Sequence, residues 1–294
     1  MRASARCISC IVAKQEKMIR DFSDENKKSE YMHQVLEILY KYGQSESSPQ
    51  LAEKIDCLQR DFWGELNDYT EMKRKYNRLL LEKEEEIEKQ IQKSMKECIK
   101  YVCAGNYIDF SAVENVNEHT FEQLLEKAGQ EKISEEEYAC FLQDLEKAER
   151  LVYLTDNCGE IVLDKLFIKC IKERYPKLQI TVIVRGESVL NDATLVDARE
   201  VGLDELVPCI GNGNAAPGTV LEYLSEEARQ ALLAADVVLA KGQGNFESLY
   251  GEGMNPYYLF LCKCELFVQR FGLEQYASVF LKEERMRIGQ TVEA

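Results

Sequence analysis

Asp156 and Asn157 close the apolar run Leu151 to Thr155, and Asn191 and Asp192 follow the next such run, Ile180 to Val184. If both runs are strands of one α/β sheet, the two pairs arrive at its carboxyl edge, where such sheets bind ligands. Two carboxylates and two amides there make a set of hard oxygen ligands, suited to Mg²⁺ or Mn²⁺. Histidine chemistry has little to draw on, since the chain holds only His33 and His119. Asp and Asn are also ordinary helix N-caps, so Asp156-Asn157 alone reads equally as a cap. The second polar turn, after a consecutive strand, is what favours a ligand role.

A third segment, Lys241-Gly242-Gln243-Gly244-Asn245, follows the apolar run Asp236 to Ala240. Small residues there let an anion reach backbone N–H groups, and Lys241 adds a point charge. A plain glycine turn is the alternative. The stretch Gly211 to Ala216 fits G-x-G-x-x-A, but Pro217-Gly218 follow where a dinucleotide fingerprint opens a helix, so it reads as a rim loop. Cys7 and Cys10 share a face on a helix, and Cys262 and Cys264 share one on a strand. Four thiolates could close a Zn²⁺ site; buried inert thiols are the alternative. Cys158 lacks an evident histidine or lysine partner and is a poor nucleophile.

Two kinds of pattern must position these residues. From residue 1 to about 104 the chain reads as helix after helix, with a stripe at Met32, Val35, Leu36, Leu39 and Tyr40, a break at Gly43–Pro49, and one long helix from about Glu71 to Cys103. Helical text covers Thr120–Leu125 and Glu135–Ala148, with Ser134 and Glu137 as a capping box. Thereafter strands alternate with helices. Strands are expected at Leu151–Thr155, Gln179–Val184, Glu205–Ile210, Asp236–Ala240 and Tyr257–Leu261, and helices at Ile161–Tyr175, Val189–Glu200 and Glu226–Ala234. That alternation predicts a largely parallel sheet with helices on both faces. The expected division is a helical domain over 1–105 and an α/β domain over 106–294.

Net charge is −15, from 37 basic and 52 acidic residues, which argues against nucleic-acid or membrane-surface binding. An anionic substrate would need local positive charge, which a divalent cation plus a lysine would supply. No run reaches the roughly 18 apolar residues of a membrane span, and the first residues do not read as a signal peptide. Eleven cysteines without an export signal read as reduced thiols in a cytoplasmic protein.

Taken in order, Cys7-x-x-Cys10, Gly105-Asn106-x-x-Asp109, Thr155-Asp156-Asn157-x-Gly159-Glu160, Leu190-Asn191-Asp192-Ala193-Thr194, Ala216-Pro217-Gly218-Thr219, Lys241-Gly242-Gln243-Gly244-Asn245 and Lys263-Cys264 resemble the motifs of DUF89 proteins, the damage-control phosphatases. The likeness is to the bacterial and archaeal branch with N-terminal cysteines and spans almost the whole chain. It implies an N-terminal helical domain packed on a Rossmann-like, three-layer α/β domain. It also implies a phosphatase of small phosphorylated metabolites (sugar phosphates, nucleotides or damaged phospho-cofactors) that depends on a divalent metal, with Mg²⁺, Mn²⁺, Co²⁺ and Ni²⁺ as candidates. By the same resemblance Asp156, Asn157 and Asp192 hold the metal, and Lys241 with the Gly242 and Gly244 amides lies by the phosphate. Asn106, Asp109, Asn191 and Asn245 fall near the substrate, with capping and bracing of the domain junction the equal alternative for Asn106 and Asp109, and Cys7, Cys10 and Cys264 are candidates for a second metal or structural site. Water attack with Asp192 as base and attack by Asp156 itself both remain open. So does a binding protein that holds a phosphorylated ligand or nucleotide without turnover.

Overall fold

The computed structural model describes residues 1–66, 68–91, 94–106 and 118–286, leaving aside the side chains of 118–121, 124 and 125. Short polar residues start the first helices, α1 (Ala5–Ile19), α2 (Glu25–Tyr42) and α3 (Ser48–Trp63). Ser4 accepts from the Cys7 N–H, Asp24 from the Lys27 N–H, and Ser47 forms a capping box with Gln50. Each cap satisfies an N–H that the helix cannot. The buried stripes of these helices (Ile19, Tyr31, Val35, Leu39, Leu51, Ile55) make an apolar cluster of their own.

The single long helix expected from Glu71 to Cys103 is three helices: α4 (Thr70–Glu82), α5 (Glu84–Ile91) and α6 (Met95–Gly105). Ser94 starts α6 by accepting from the Glu97 N–H. A straight helix over that span would run about 50 Å. Broken, it lays all three pieces against α9 (Glu160–Arg174). Two further helices follow, α7 (Glu118–Gln130) and α8 (Glu135–Lys147). Ser134 caps α8, but the Glu137 carboxylate turns to Arg285, so only half of the expected capping box forms.

The sheet holds β1 (Arg150–Leu154), β2 (Gln179–Val184), β3 (Cys209–Gly211), β4 (Val237–Lys241), β5 (Tyr257–Leu261) and β6 (Ser278–Lys282) in the order β3-β2-β1-β4-β5-β6. The first five are parallel, and β6 pairs antiparallel with β5. The strand expected at Glu205–Ile210 shrinks to β3, because Leu206 and Val207 both donate back to the Leu203 carbonyl in a turn. Covering the sheet with α9 are α10 (Leu195–Glu200), α11 (Glu226–Leu233), α12 (Gly242–Leu249) and α13 (Glu265–Phe271). Leu151, Tyr153 and Leu239 point into one apolar cluster with α4–α6 and α9; Val152, Leu154, Val238 and Ala240 point into another with Phe246 and Phe267. This alternation makes a three-layer α/β architecture.

From β1 the strand order runs to β2 and β3 on one side and to β4 and β5 on the other. At such a reversal the connections leave in opposite directions and open a crevice outside the carboxyl ends. Asp156 follows β1 and Gly242 follows β4, so both stand at it. Among the described residues no helix is long and apolar enough to cross a membrane.

Candidate active site

The turns after β1 and β2 are zipped together by backbone. The Cys158 N–H donates to the Asn191 carbonyl at 2.9 Å and the Ala193 N–H to the Asp156 carbonyl at 2.8 Å, which sets Asn157 opposite Asp192. This pairing is possible because the helix expected from Val189 begins only at Leu195, behind a Thr194–Asp197 capping box. Side chains continue the zipper. Asn191 Nδ2 donates to Asn157 Oδ1 at 2.8 Å, and Asn157 Nδ2 donates to Asp156 Oδ2 at 2.8 Å and Glu160 Oε2 at 3.1 Å. Asn106, at the end of α6, gives its Nδ2 to the same two carboxylates at 3.0 and 2.9 Å. Asp156, Asn157, Asn191, Asp192 and Asn106 thus come together. Asp109 lies outside the described residues.

Gly242 closes the floor. Its φ is +80°, and a Cβ there would stand 2.1 Å from the Asp156 Cγ. Only glycine lets the first turn of α12 lie against that carboxylate. The segment Lys241–Asn245, for which a plain glycine turn was the alternative, is the end of a strand and the start of a helix.

Lys241 is fully buried, and its Nζ donates to Glu160 and, at 3.1 Å, to Asp164. Burial opposes its charge, but Asp164 and Glu160 hold it well above the usual lysine range. The amine expected at a phosphate is thus already committed to two carboxylates. Asn245 is likewise occupied: Nδ2 donates to the Thr155 and Lys241 carbonyls at 3.0 and 2.6 Å, while Oδ1 accepts from Thr219 Oγ1 and Arg185 Nη1. Gly244 lies where a Cβ would strike the Pro217 carbonyl at 2.1 Å, so it serves close packing as well as lining the cleft.

The donor set suits a divalent cation. Four carboxylates, half-buried Asp156 and buried Glu160, Asp164 and Asp192, face two buried cations, Lys241 and Arg185, leaving two negative charges unmatched. Burial and the adjacent Glu160 and Asp192 push Asp156 up to about 7, the sign of a carboxylate short of positive charge. No described residue donates to Oδ1 of Asp156 or of Asp192. A cation here would draw on mixed carboxylate and amide oxygens, since no described group of three or more His, Cys, Asp or Glu side chains is disposed for a metal. Among the described residues the thiols gather no metal cluster either: Cys7 Sγ sits 3.2 Å from Ser4 Oγ, Cys10 is exposed and Cys262 is buried in the sheet core. An Arg6–Glu265 ion pair does bring the start of α1 to the start of α13.

A cleft of about 630 Å³ opens beside this centre. Gln15 and Glu53 from the first helices face Leu190, Pro217, Gln243 and Gly244 across it.

The model of the damage-control phosphatase ARMT1-like domain matches residues 3–279. This chain belongs to that family. A damage-control phosphatase of Archaeoglobus fulgidus is 32% identical over 285 residues, covering 93% of this chain and 96% of the relative. Another, from Pyrococcus horikoshii, is 25% identical over 97% of this chain and 99% of its own length. The crystal structure of a DUF89 family protein from Pyrococcus horikoshii superposes with a TM-score of 0.82 at 24% identity, covering 96% of this chain and 99% of that one.

Three residues of this ARMT1-like domain escaped the sequence reading of the site. Glu160 and Asp164 are four apart in the first turns of α9 and so share a face, a spacing visible in the sequence. Arg185, the residue just after β2, donates Nε to Asp192 Oδ2 at 2.6 Å and Nη1 to the Gly218 carbonyl at 3.0 Å. An arginine in a run of apolar strand residues was the available signal, since an arginine is almost never fully buried without a partner.

Proposed function

We propose that this chain is a phosphatase of a small phosphorylated metabolite, with a divalent cation, Mg²⁺, Mn²⁺, Co²⁺ or Ni²⁺, held by Asp156, Asn157 and Asp192. The observation that carries this reading is the zipped pair of turns, which leaves one oxygen free of any described donor on each of Asp156 and Asp192, beside a cleft lined by Leu190, Gln243 and Gly244. Family membership and the relatives named damage-control phosphatases support the activity class. When bound, the cation supplies Lewis acidity to a phosphate oxygen.

The chain's own residues do the rest. The first turn of α12 presents backbone N–H groups from Gly242 onward, which suit the spread charge of a phosphoryl transition state. Asn191 fixes the Asn157 amide, and Arg185 fixes Asp192. Asp192 would give the cation the one oxygen that Arg185 leaves free. Lys241 acts as a positioning residue, holding Glu160, whose second oxygen anchors both Asn106 and Asn157. Gln15 and Glu53, across the cleft, meet the part of the substrate that does not react.

The test is phosphate release from sugar phosphates, nucleotides and cofactor phosphates by metal-stripped protein, with each cation restored in turn. Turnover restored by a cation and lost in Asp192→Asn is the expected result. Ligand binding restored by a cation, with no phosphate released from any substrate, would replace the phosphatase with a binding protein.

A further inference from the structure

Cys98 and Cys170 take no part in the centre described above, yet they meet. Cys98 lies on α6 and is buried, Cys170 lies on α9 and is half-buried, and the two Sγ atoms stand 3.2 Å apart. Among the hydrogen bonds of the described residues this is the one between two thiols. A disulfide needs about 2.05 Å between sulfurs, so these must close by roughly 1.1 Å. Cys170 also lines a small surface hollow with Glu88, Leu166, Lys169 and Glu173, which gives a small oxidant a way to its sulfur.

The two helices matter to the rest of the molecule. Asn106 ends α6 eight residues after Cys98, and Glu160 opens α9 ten residues before Cys170. The chain between the two cysteines holds α7, α8 and β1. A bond between them would close a loop of about 70 residues and tie α6 to α9 covalently.

We propose that Cys98 and Cys170 are a peroxide-sensitive thiol pair that converts to a disulfide and locks α6 against α9. The Cys170 thiolate attacks one oxygen of hydrogen peroxide; an S–O bond forms, the O–O bond breaks, and the departing hydroxide takes a proton to become water. Cys98 sulfur then attacks Cys170 sulfur; the S–S bond forms, the S–O bond breaks, and hydroxide leaves with the Cys98 proton as a second water. Two thiols lose two electrons, and one peroxide is reduced to two waters. The Cys98 S–H donating to Cys170 lowers the pKa of the Cys170 thiol, which favours it as the first attacker.

The test is peptide mapping of the full chain after stoichiometric peroxide and alkylation of the remaining thiols, with Tm measured before and after reduction. The expected result is a Cys98–Cys170 linked peptide two mass units below the sum of its thiol forms, and a Tm higher by roughly 4–8 °C. The rise should be absent in Cys98→Ser and, because a buried serine can itself disturb packing, also in Cys170→Ser. Alkylated Cys98 and Cys170, a sulfinate on Cys170, or a bond from either to another cysteine would overturn the pairing. A linked peptide without a rise in Tm would overturn the lock. None of these readings depends on phosphate release, so this inference and the proposed activity can fail separately.

Discussion

The four carboxylates of the centre divide into two pairs that look alike in sequence and behave differently. Glu160 and Asp164 are sealed: both are fully buried, both are met by Lys241 Nζ, and Asp164 Oδ1 accepts from Tyr153 OH at 2.6 Å as well. Asp156 and Asp192 are open: each accepts on Oδ2 and keeps Oδ1 free of any described donor. The difference lies in the elements. Glu160 and Asp164 project from a helix face packed on the sheet, whereas Asp156 and Asp192 sit on turns whose backbones are tied to each other. Composition therefore does not mark a ligand site, and neither does a leftover oxygen alone, since Asp164 Oδ2 is also unpartnered but lies fully buried; what sets Asp156 and Asp192 apart is a free oxygen on turns beside the cleft.

Removing the cation of the sealed pair attacks this comparison most strongly. Lys241→Met leaves two carboxylates buried without their partner and should cost about 3–5 kcal/mol of stability, read by chemical denaturation. A loss below about 1 kcal/mol would mean that Lys241 is free to serve a ligand and that the sealed pair is not sealed.

The open pair should answer in activity instead. Asp156→Asn keeps shape and removes charge, so turnover should fall by at least about 10²–10³-fold while the circular dichroism spectrum stays unchanged. Glu160→Gln, on the sealed side, should lose stability first. If both variants lost activity and stability in the same proportion, the division into open and sealed pairs would have no functional content.

Gly242 tests the boundary between the pairs, because it packs against the Asp156 carboxyl and directly follows Lys241 in the chain. Gly242→Ala adds a methyl group at a φ of +80° and 2.1 Å from the Asp156 carboxyl. The expected cost is about 1–3 kcal/mol, accompanied by displacement of Asp156 and weaker cation binding by calorimetry. Unchanged binding would show that the close approach of α12 to Asp156 is incidental.

Much of this was legible in the residues. The two Asp/Asn turns could be placed because each follows a run of strand-forming residues, and the parallel sheet follows from their alternation with helices. Three things were hidden for physical reasons. α12 begins with glycines at 242 and 244, which argue against a helix until the carboxylate and the Pro217 carbonyl that demand them are seen. The role of Lys241 depends on which way the last residue of a strand points, and that is set by register with β1 and β5. β6 makes an antiparallel edge from a segment with no strong alternation, where pairing with β5 decides what local pattern does not.

The smallest effect belongs to the amide that touches neither pair directly. Asn191 donates to Asn157 Oδ1 at 2.8 Å, and its backbone carbonyl accepts from the Cys158 N–H. Asn191→Ala keeps the backbone bond and deletes only the side-chain one, so the turns should stay zipped while the Asn157 amide loses its orientation. Partners that orient a metal ligand are worth about 10–100-fold in affinity, and a single neutral bond belongs at the lower end. The expected result is cation affinity reduced about tenfold, Tm within a degree or two of the parent, and no change in the cation preferred. Affinity unchanged in Asn191→Ala but abolished in Asp156→Asn would remove Asn157 from the open side and leave the cation to the two aspartates alone.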